Sequence, residues 1–285
     1  MKKYNIGFIG AGKMAGAIIK GLLKSNIVAP ENLLATQAEK ENLEEKSKAL
    51  GIRVILNNLE LAEKSDVIFI AVKPNQVISV LEEISHKIND EKLIVSIAAG
   101  LTTKTIEANL PANTKVIRVM PNTPALVNEG MCGIISGKNA TKEDLAYVEN
   151  LFSTIGKSII IEKESQMDIV TAISGSGPAF FYKVINDIAR AGEALGLDYE
   201  KSLLLSIQTA IGSAKMALNR DISMEQLVAN VATKGGCTRV GVDVMEEIDT
   251  EKIFAEVIEK TVKKASELGK WYFIKIFSCI FSLRQ

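Results

Sequence analysis

The chain has 285 residues, 47 % of them hydrophobic, which suits one large domain or two ordinary ones with a substantial core. Its 34 basic and 34 acidic residues cancel, so no basic excess points to a nucleic-acid partner. The three cysteines, Cys132, Cys237 and Cys279, lie far apart and form neither a metal-type pair nor a disulfide framework, which fits a reducing cytoplasm.

The first ten residues, MKKYNIGFIG, place two lysines before an apolar run, as a secretion signal does. Lys13 follows at once and no small-residue cleavage site is present, so the stretch reads as a first strand. Further strand-like runs fall at 32–36, 52–56, 66–72, 92–98, 114–120, 131–136 and 158–161. Several are apolar throughout, as strands buried on both faces must be. The intervening pieces are long enough for crossover helices, which predicts a doubly wound α/β sheet. After Ile161 the strand signals stop, and helices are expected over 165–174, 178–195, 199–219, 223–230, 238–247 and 250–268. The expected organisation is a dinucleotide-binding domain over 1–163, an all-α domain over 164–268 and a separate tail over 269–285. No run approaches the roughly 20 apolar residues of a membrane span, so none is expected. The tail holds five of the fifteen aromatic residues, with Phe273, Phe277 and Phe281 at helical spacing. It reads as a terminal helix packed on its own or a neighbouring subunit.

Residues 7–17, GFIGAGKMAGA, sit where the first strand turns into the first helix. Gly10, Gly12 and Ala15 fit G-x-G-x-x-G/A: a tight turn, a close approach to pyrophosphate, and close packing of helix on strand. The stretch Gly10, Ala11, Gly12, Lys13, Met14 is therefore the expected phosphate contact, with the N–H groups of a helix start behind it. The second strand ends in Thr36 and Gln37 with no acid to hold a ribose 2′-hydroxyl, which favours NADPH while leaving NADH open. Thr36 and Glu39 also match a helix-capping box. Ala71, Val72, Lys73 and Pro74 after the fourth strand, and Ala98 and Ala99 after the fifth, are expected along the same crevice.

A nicotinamide implies hydride transfer. Oxidation of an alcohol also needs a base, commonly His or Lys. The lone histidine, His86, stands in EEISHKIND and reads as a solvated surface residue. The 3-hydroxy acid dehydrogenases carry G-x-G-x-x-x-K at the start of their second domain. Here SGSGPAFFYK places Lys183 six residues after Gly177 instead of four. That adds about 200° of helical rotation and turns the lysine from the catalytic face. Reduction of a protonated imine needs no strong base, because its carbon is already electrophilic and has mainly to be held and oriented.

ISGSGPAFF (173–181) and NVATKGGCTRVGVDVME (230–246) resemble the two C-terminal motifs of the pyrroline-5-carboxylate reductase family. The resemblance extends through FIGAGKMA, AVKP, SIAAG and RVMPNTP, from residue 4 to about 268. It implies reduction of 1-pyrroline-5-carboxylate to L-proline by NAD(P)H in the cytoplasm. The implied partners are that small molecule and further copies of the chain, as a homodimer through the helical domain and a ring of five dimers, a decamer. By the same resemblance Asn58, with its neighbour Asn57 as the alternative, and Asn230 join the cofactor residues named above. Gly235, Gly236, Cys237 and Thr238 form the implied substrate loop, with Ser176 and Glu164 beside the substrate. The paired glycines suit a carboxylate cradle before a helix, and Thr238 is the catalytic candidate, its hydroxyl offered to the ring nitrogen. A plain cap of the following helix is the other role open to Thr238, and Ser174 and Ser176 are equally open to helix capping.

Overall fold

The computed structural model describes residues 4–219 and 221–282, with side chains as far as 268. Eight strands form one sheet: β1 (Ile6–Ile9), β2 (Leu33–Thr36), β3 (Arg53–Ile55), β4 (Val67–Ile70), β5 (Leu93–Ser96), β6 (Lys115–Met120), β7 (Gly130–Ser136) and β8 (Gly156–Ile160). Their spatial order is β3-β2-β1-β4-β5-β6-β7-β8. Every pair is parallel except β6 with β7. That exception follows from chain length. Residues 121–129 are too few for the helical crossover that a parallel return needs, and they form a proline-initiated 3₁₀ turn, Thr123–Val127, instead.

Helices cover both faces of the sheet. On one, Ile18 and Leu22 of α1 (Lys13–Lys24), Leu50 of α2 (Leu43–Leu50) and Phe152 of α6 (Lys142–Phe152) join Phe8 and Phe69 in a core. The rings of Phe8 and Phe69 stack at 4.5 Å between centroids. On the other, α3 (Asn58–Lys64), α4 (Val77–Ile84) and α5 (Thr103–Glu107) bring Leu61, Leu81 and Ile106 against Ile9, Ile68, Ile94 and Val116. Each such side chain contributes about 1.5–3 kcal/mol on full burial. Two packed layers fix the strand ends, and those ends carry the site.

Beyond β8 the chain is helical: α7 (Met167–Val170), α8 (Gly177–Ala194), α9 (Tyr199–Ala217), α10 (Met224–Val231), α11 (Cys237–Glu247) and α12 (Thr250–Ser282). The predicted helix over 165–174 is instead a 3₁₀ turn, the single α turn of α7, and a π-turn over Thr171–Gly175. The expected tail helix is met as backbone, since α12 runs on through residue 282. The side chains of Phe273, Phe277 and Phe281 lie outside the described residues. By contacts the chain divides into two compact units, one running to Ser176 and resuming at Thr261, the other Gly177–Lys260. Among the described residues, no helix is long and apolar enough to cross a membrane.

Candidate active site

Parallel strands deliver their carboxyl ends to one edge, and most of the expected cofactor residues meet there. Gly10 leaves β1 at φ +102, a backbone conformation open to glycine. Its N–H donates to the Thr36 carbonyl at 3.2 Å. A Cβ on Gly10 would stand 2.7 Å from the carbonyl oxygen of Ala71, so the loops after β1, β2 and β4 are in close contact. Gly12 begins α1 and offers no side-chain acceptor to the N–H groups of the first turn. A Cβ on Gly12 would meet nothing within 4 Å. This combination, an uncapped start of a long helix beside open space, fits the pyrophosphate of a dinucleotide. A cavity of about 400 Å³ opens at the same place, with Ala11, Gly12 and Lys13 in its lining. A larger one, about 740 Å³, lies at the amino ends of β1 to β3 and contains none of the expected site residues.

Thr36 does not cap a helix. It closes β2, and its hydroxyl donates to Asn58 Oδ1 at 2.7 Å. Asn58 Nδ2 then donates to Glu83 Oε2 at 2.8 Å. Gln37 turns its amide onto the carbonyls of Glu39 and Glu41, at 2.7 and 3.0 Å, and so holds the loop after β2. Lys73 stands exposed before Pro74, which opens the 3₁₀ turn Pro74–Gln76. Ala98 and Ala99 follow β5, where the amide of Ile97 still bonds to the Ile70 carbonyl at 3.2 Å.

Under that edge sits a charged cluster. Arg118, in the middle of β6, is 2 % exposed and pairs through Nη1 with Glu164 Oε1. Glu164 Oε2 accepts from the Thr103 hydroxyl at 2.8 Å and from its amide at 3.3 Å. Both carboxylate oxygens of Glu164 are therefore engaged within this unit. Among the described residues, Arg118 Nε and Nη2 have no hydrogen-bond partner. Burial raises the pKa of Asp168 above the usual carboxylate value, while the nearby Arg118 charge opposes the rise and Glu164 adds to it. A second tie lies farther along. Asn122 Nδ2 donates to the Ser174 carbonyl at 3.1 Å, its Oδ1 accepts from the Met131 amide at 2.9 Å, and the Ser174 hydroxyl donates to the Met131 carbonyl at 3.1 Å. Ser174 is thus bound to the sheet and is no helix cap. Ser176 closes the π-turn, its amide bonded to the Thr171 carbonyl at 2.8 Å, and is partly exposed.

In the helical unit, α10 ends at Val231 and α11 begins at Cys237. Gly235 between them has φ +79, and Gly236 is the N-cap of α11, again with no side-chain acceptor. Cys237 and Thr238 are exposed in the first turn. Thr238 lies two residues inside the cap position, so capping does not account for it. The geometry is a glycine-lined helix start without a side-chain cap and with a hydroxyl in its first turn, suited to a small carboxylate. Asn230, on α10, accepts from Gln226 at 2.8 Å through its side-chain oxygen.

The residues of alternative chemistries stand elsewhere. His86 is exposed in a 3₁₀ turn after α4. Lys183 is exposed on α8 and bonds to Asp187 at 2.6 Å. Cys132 is fully buried in β7, and burial pushes its thiol up to about 12.

Residues 164–268 match the family model for pyrroline-5-carboxylate reductase dimerisation, and residues 5–100 match that for coenzyme F420-dependent NADP oxidoreductases. A pyrroline-5-carboxylate reductase of Methanosarcina acetivorans is 41 % identical, over 95 % of this chain and 100 % of that protein. The chain belongs to the pyrroline-5-carboxylate reductase family. Pyrroline-5-carboxylate reductase 2 of Bacillus subtilis is 35 % identical over 95 % of this chain and 97 % of its own length. Among solved structures, the Coxiella burnetii reductase superposes with a TM-score of 0.89 at 33 % identity, covering 94 % of this chain and 99 % of that one. The Plasmodium falciparum pyrroline carboxylate reductase, solved with NADP bound, gives 0.83 at 36 % identity, covering the same shares. Within this family frame, Arg118, Thr103, Asn122 and Glu83 are site neighbours that sequence reasoning passed over. For Arg118 a signal existed: it is an ionisable residue inside the otherwise apolar VIRVM run.

Proposed function

We infer that this protein reduces 1-pyrroline-5-carboxylate to L-proline, the last step of proline biosynthesis, as an NAD(P)H-dependent oxidoreductase. Similarity over nearly the whole chain to reductases of that name carries the reading. The glycine loop after β1 supports a nicotinamide dinucleotide. When bound, the dinucleotide supplies the hydride for the C=N carbon.

The roles of the chain's own residues follow as proposals. Gly10 to Met14 bind the phosphates through backbone N–H groups. Thr36, Gln37 and Asn58 hold the adenosine end, and the lack of an acid closing β2 supports NADPH over NADH. Ala71 to Pro74 and Ala98 to Ala99 form the floor of the crevice, small enough there to admit a nicotinamide, with Asn230 as a further cofactor contact. Gly235, Gly236 and Cys237 cradle the substrate carboxylate. The Thr238 hydroxyl orients the ring nitrogen, and Ser176 lines the pocket. The dinucleotide part is assigned to 1–163, the substrate and dimerisation part to 164–268, and 269–285 to a distinct tail.

Homo-oligomer formation has a physical motive in the helical unit. Phe181, Leu195 and Leu204 there are 69 %, 90 % and 67 % exposed, more large apolar surface than a lone subunit usually carries. A dimer, and further assembly to a decamer in the cytoplasm, is the proposed state. The deciding experiment measures oxidation of NADPH and of NADH, side by side, with 1-pyrroline-5-carboxylate. Turnover faster with NADPH is expected, and no turnover with either nicotinamide would refute the assignment.

A further inference from the structure

The segment 164–176 is tied to the sheet at both ends. At its start Glu164 is held by Arg118 of β6 and by Thr103. At its end Ser174 is held by Asn122, just beyond β6, and by Met131 of β7. Thr103 is the first residue of α5 and closely follows the turn that carries Ala98 and Ala99. One carboxylate therefore joins the turn assigned to the nicotinamide to the segment assigned to the substrate wall.

Arg118 explains why that carboxylate stays in place. Its side chain is 2 % exposed, and two of its donors, Nε and Nη2, have no partner among the described residues. A buried guanidinium so poorly satisfied depends on its one direct anionic partner. If Glu164 swung out to a ligand, it would strand that charge and release Thr103 at the same moment. Asp168 is the other carboxylate near the guanidinium, and no hydrogen bond joins the two. These facts oppose Glu164 as a direct substrate ligand.

We propose that Glu164, fixed by Arg118, is a positioning residue that sets the spacing between the Ala98–Ala99 turn and the turn carrying Ser174 and Ser176. The proposal rests on the reductase reading above. Hydride transfer is sensitive to that spacing, since a displacement of about 1 Å can cost roughly a hundredfold in rate. Binding of either ligand alone is far less sensitive, because each keeps its own contacts.

The test uses the full-length enzyme with Glu164→Gln, Thr103→Val and Thr103→Ser. Thr103→Val removes one hydroxyl at nearly constant shape and leaves the amide bond to Glu164, so it should fold even if Glu164→Gln does not. Melting curves confirm folding. Expected are a fall in kcat of roughly tenfold to a hundredfold for Thr103→Val or more for Glu164→Gln, and recovery in Thr103→Ser. NADPH affinity and the KM for the imine should stay within about twofold of wild type, as expected when only transition-state interactions are lost. The isotope effect with NADPH deuterated at the transferred position should rise as hydride transfer becomes limiting. Folded variants with wild-type kcat would overturn the proposal. So would a raised imine KM at constant kcat, which would make Glu164 a substrate ligand. An inactive wild type would overturn the functional reading and this proposal with it. An active wild type with unchanged variants would overturn the proposal alone.

Discussion

Gly10 and Gly12 stand two residues apart in one loop, yet the same substitution should act on them through different physics. Gly10→Ala forces a Cβ onto a backbone at φ +102 and sets it 2.7 Å from the Ala71 carbonyl oxygen. A non-glycine residue in such a conformation costs about 1–3 kcal/mol. The carbonyl has little room to yield, because the Ala71 amide is bonded to Ile9 at 2.9 Å and β4 behind it is buried. A loss of about 2 kcal/mol is expected, which lowers Tm by about 4–8 °C for a unit of this size. Gly12→Ala meets no such obstacle. Its φ of −77 and ψ of −174 suit any residue, and its Cβ would have open space. Stability should change by less than about 1 kcal/mol. The added methyl would instead stand where the backbone must approach pyrophosphate, weakening NADPH at least about tenfold, or about 1.4 kcal/mol. Calorimetric melting and NADPH titration of both variants separate the two effects. Gly10→Ala with unchanged Tm would refute the strain argument. Gly12→Ala with wild-type NADPH affinity would refute the placement of the pyrophosphate.

Thr238→Ala should lower turnover of 1-pyrroline-5-carboxylate about tenfold or more while NADPH binding is retained; loss of cofactor affinity alone would show the site misassigned. Alkylation of the native protein, read by peptide mass spectrometry, should modify exposed Cys237 and spare Cys132, whose thiol burial pushes up to about 12. Labelling of Cys132 at a matching rate would contradict its burial. Asp168→Asn should raise Tm relative to wild type near neutral pH. The sign follows from the raised folded pKa: the charged form disfavours the fold above that value, and the disadvantage vanishes once pH falls below the ordinary carboxylate range. A Tm difference that grew on acidification would reverse the argument.

The sequence by itself determined the elements and the class of chemistry. Several runs, VIFI and LIVS among them, are apolar without alternation, and that composition is stable only as strands covered on both faces. The G-x-G spacing declared the dinucleotide turn, and the GGCT motif with its flanks declared the family. Tertiary structure decided the rest. It set β7 antiparallel, because the turn between β6 and β7 is too short for a crossover. It sent the hydroxyl of Thr36 across to Asn58 instead of along the chain to a helix end. It ended the expected helix over 165–174 in a π-turn at Thr171–Gly175, where Ser174 meets Asn122 and Met131. It also committed Glu164 to Arg118 and Thr103, partners 46 and 61 residues away. Periodicity shows which face of a segment seeks the core. It does not show which distant polar groups will share that core, because their pairing depends on how whole elements pack.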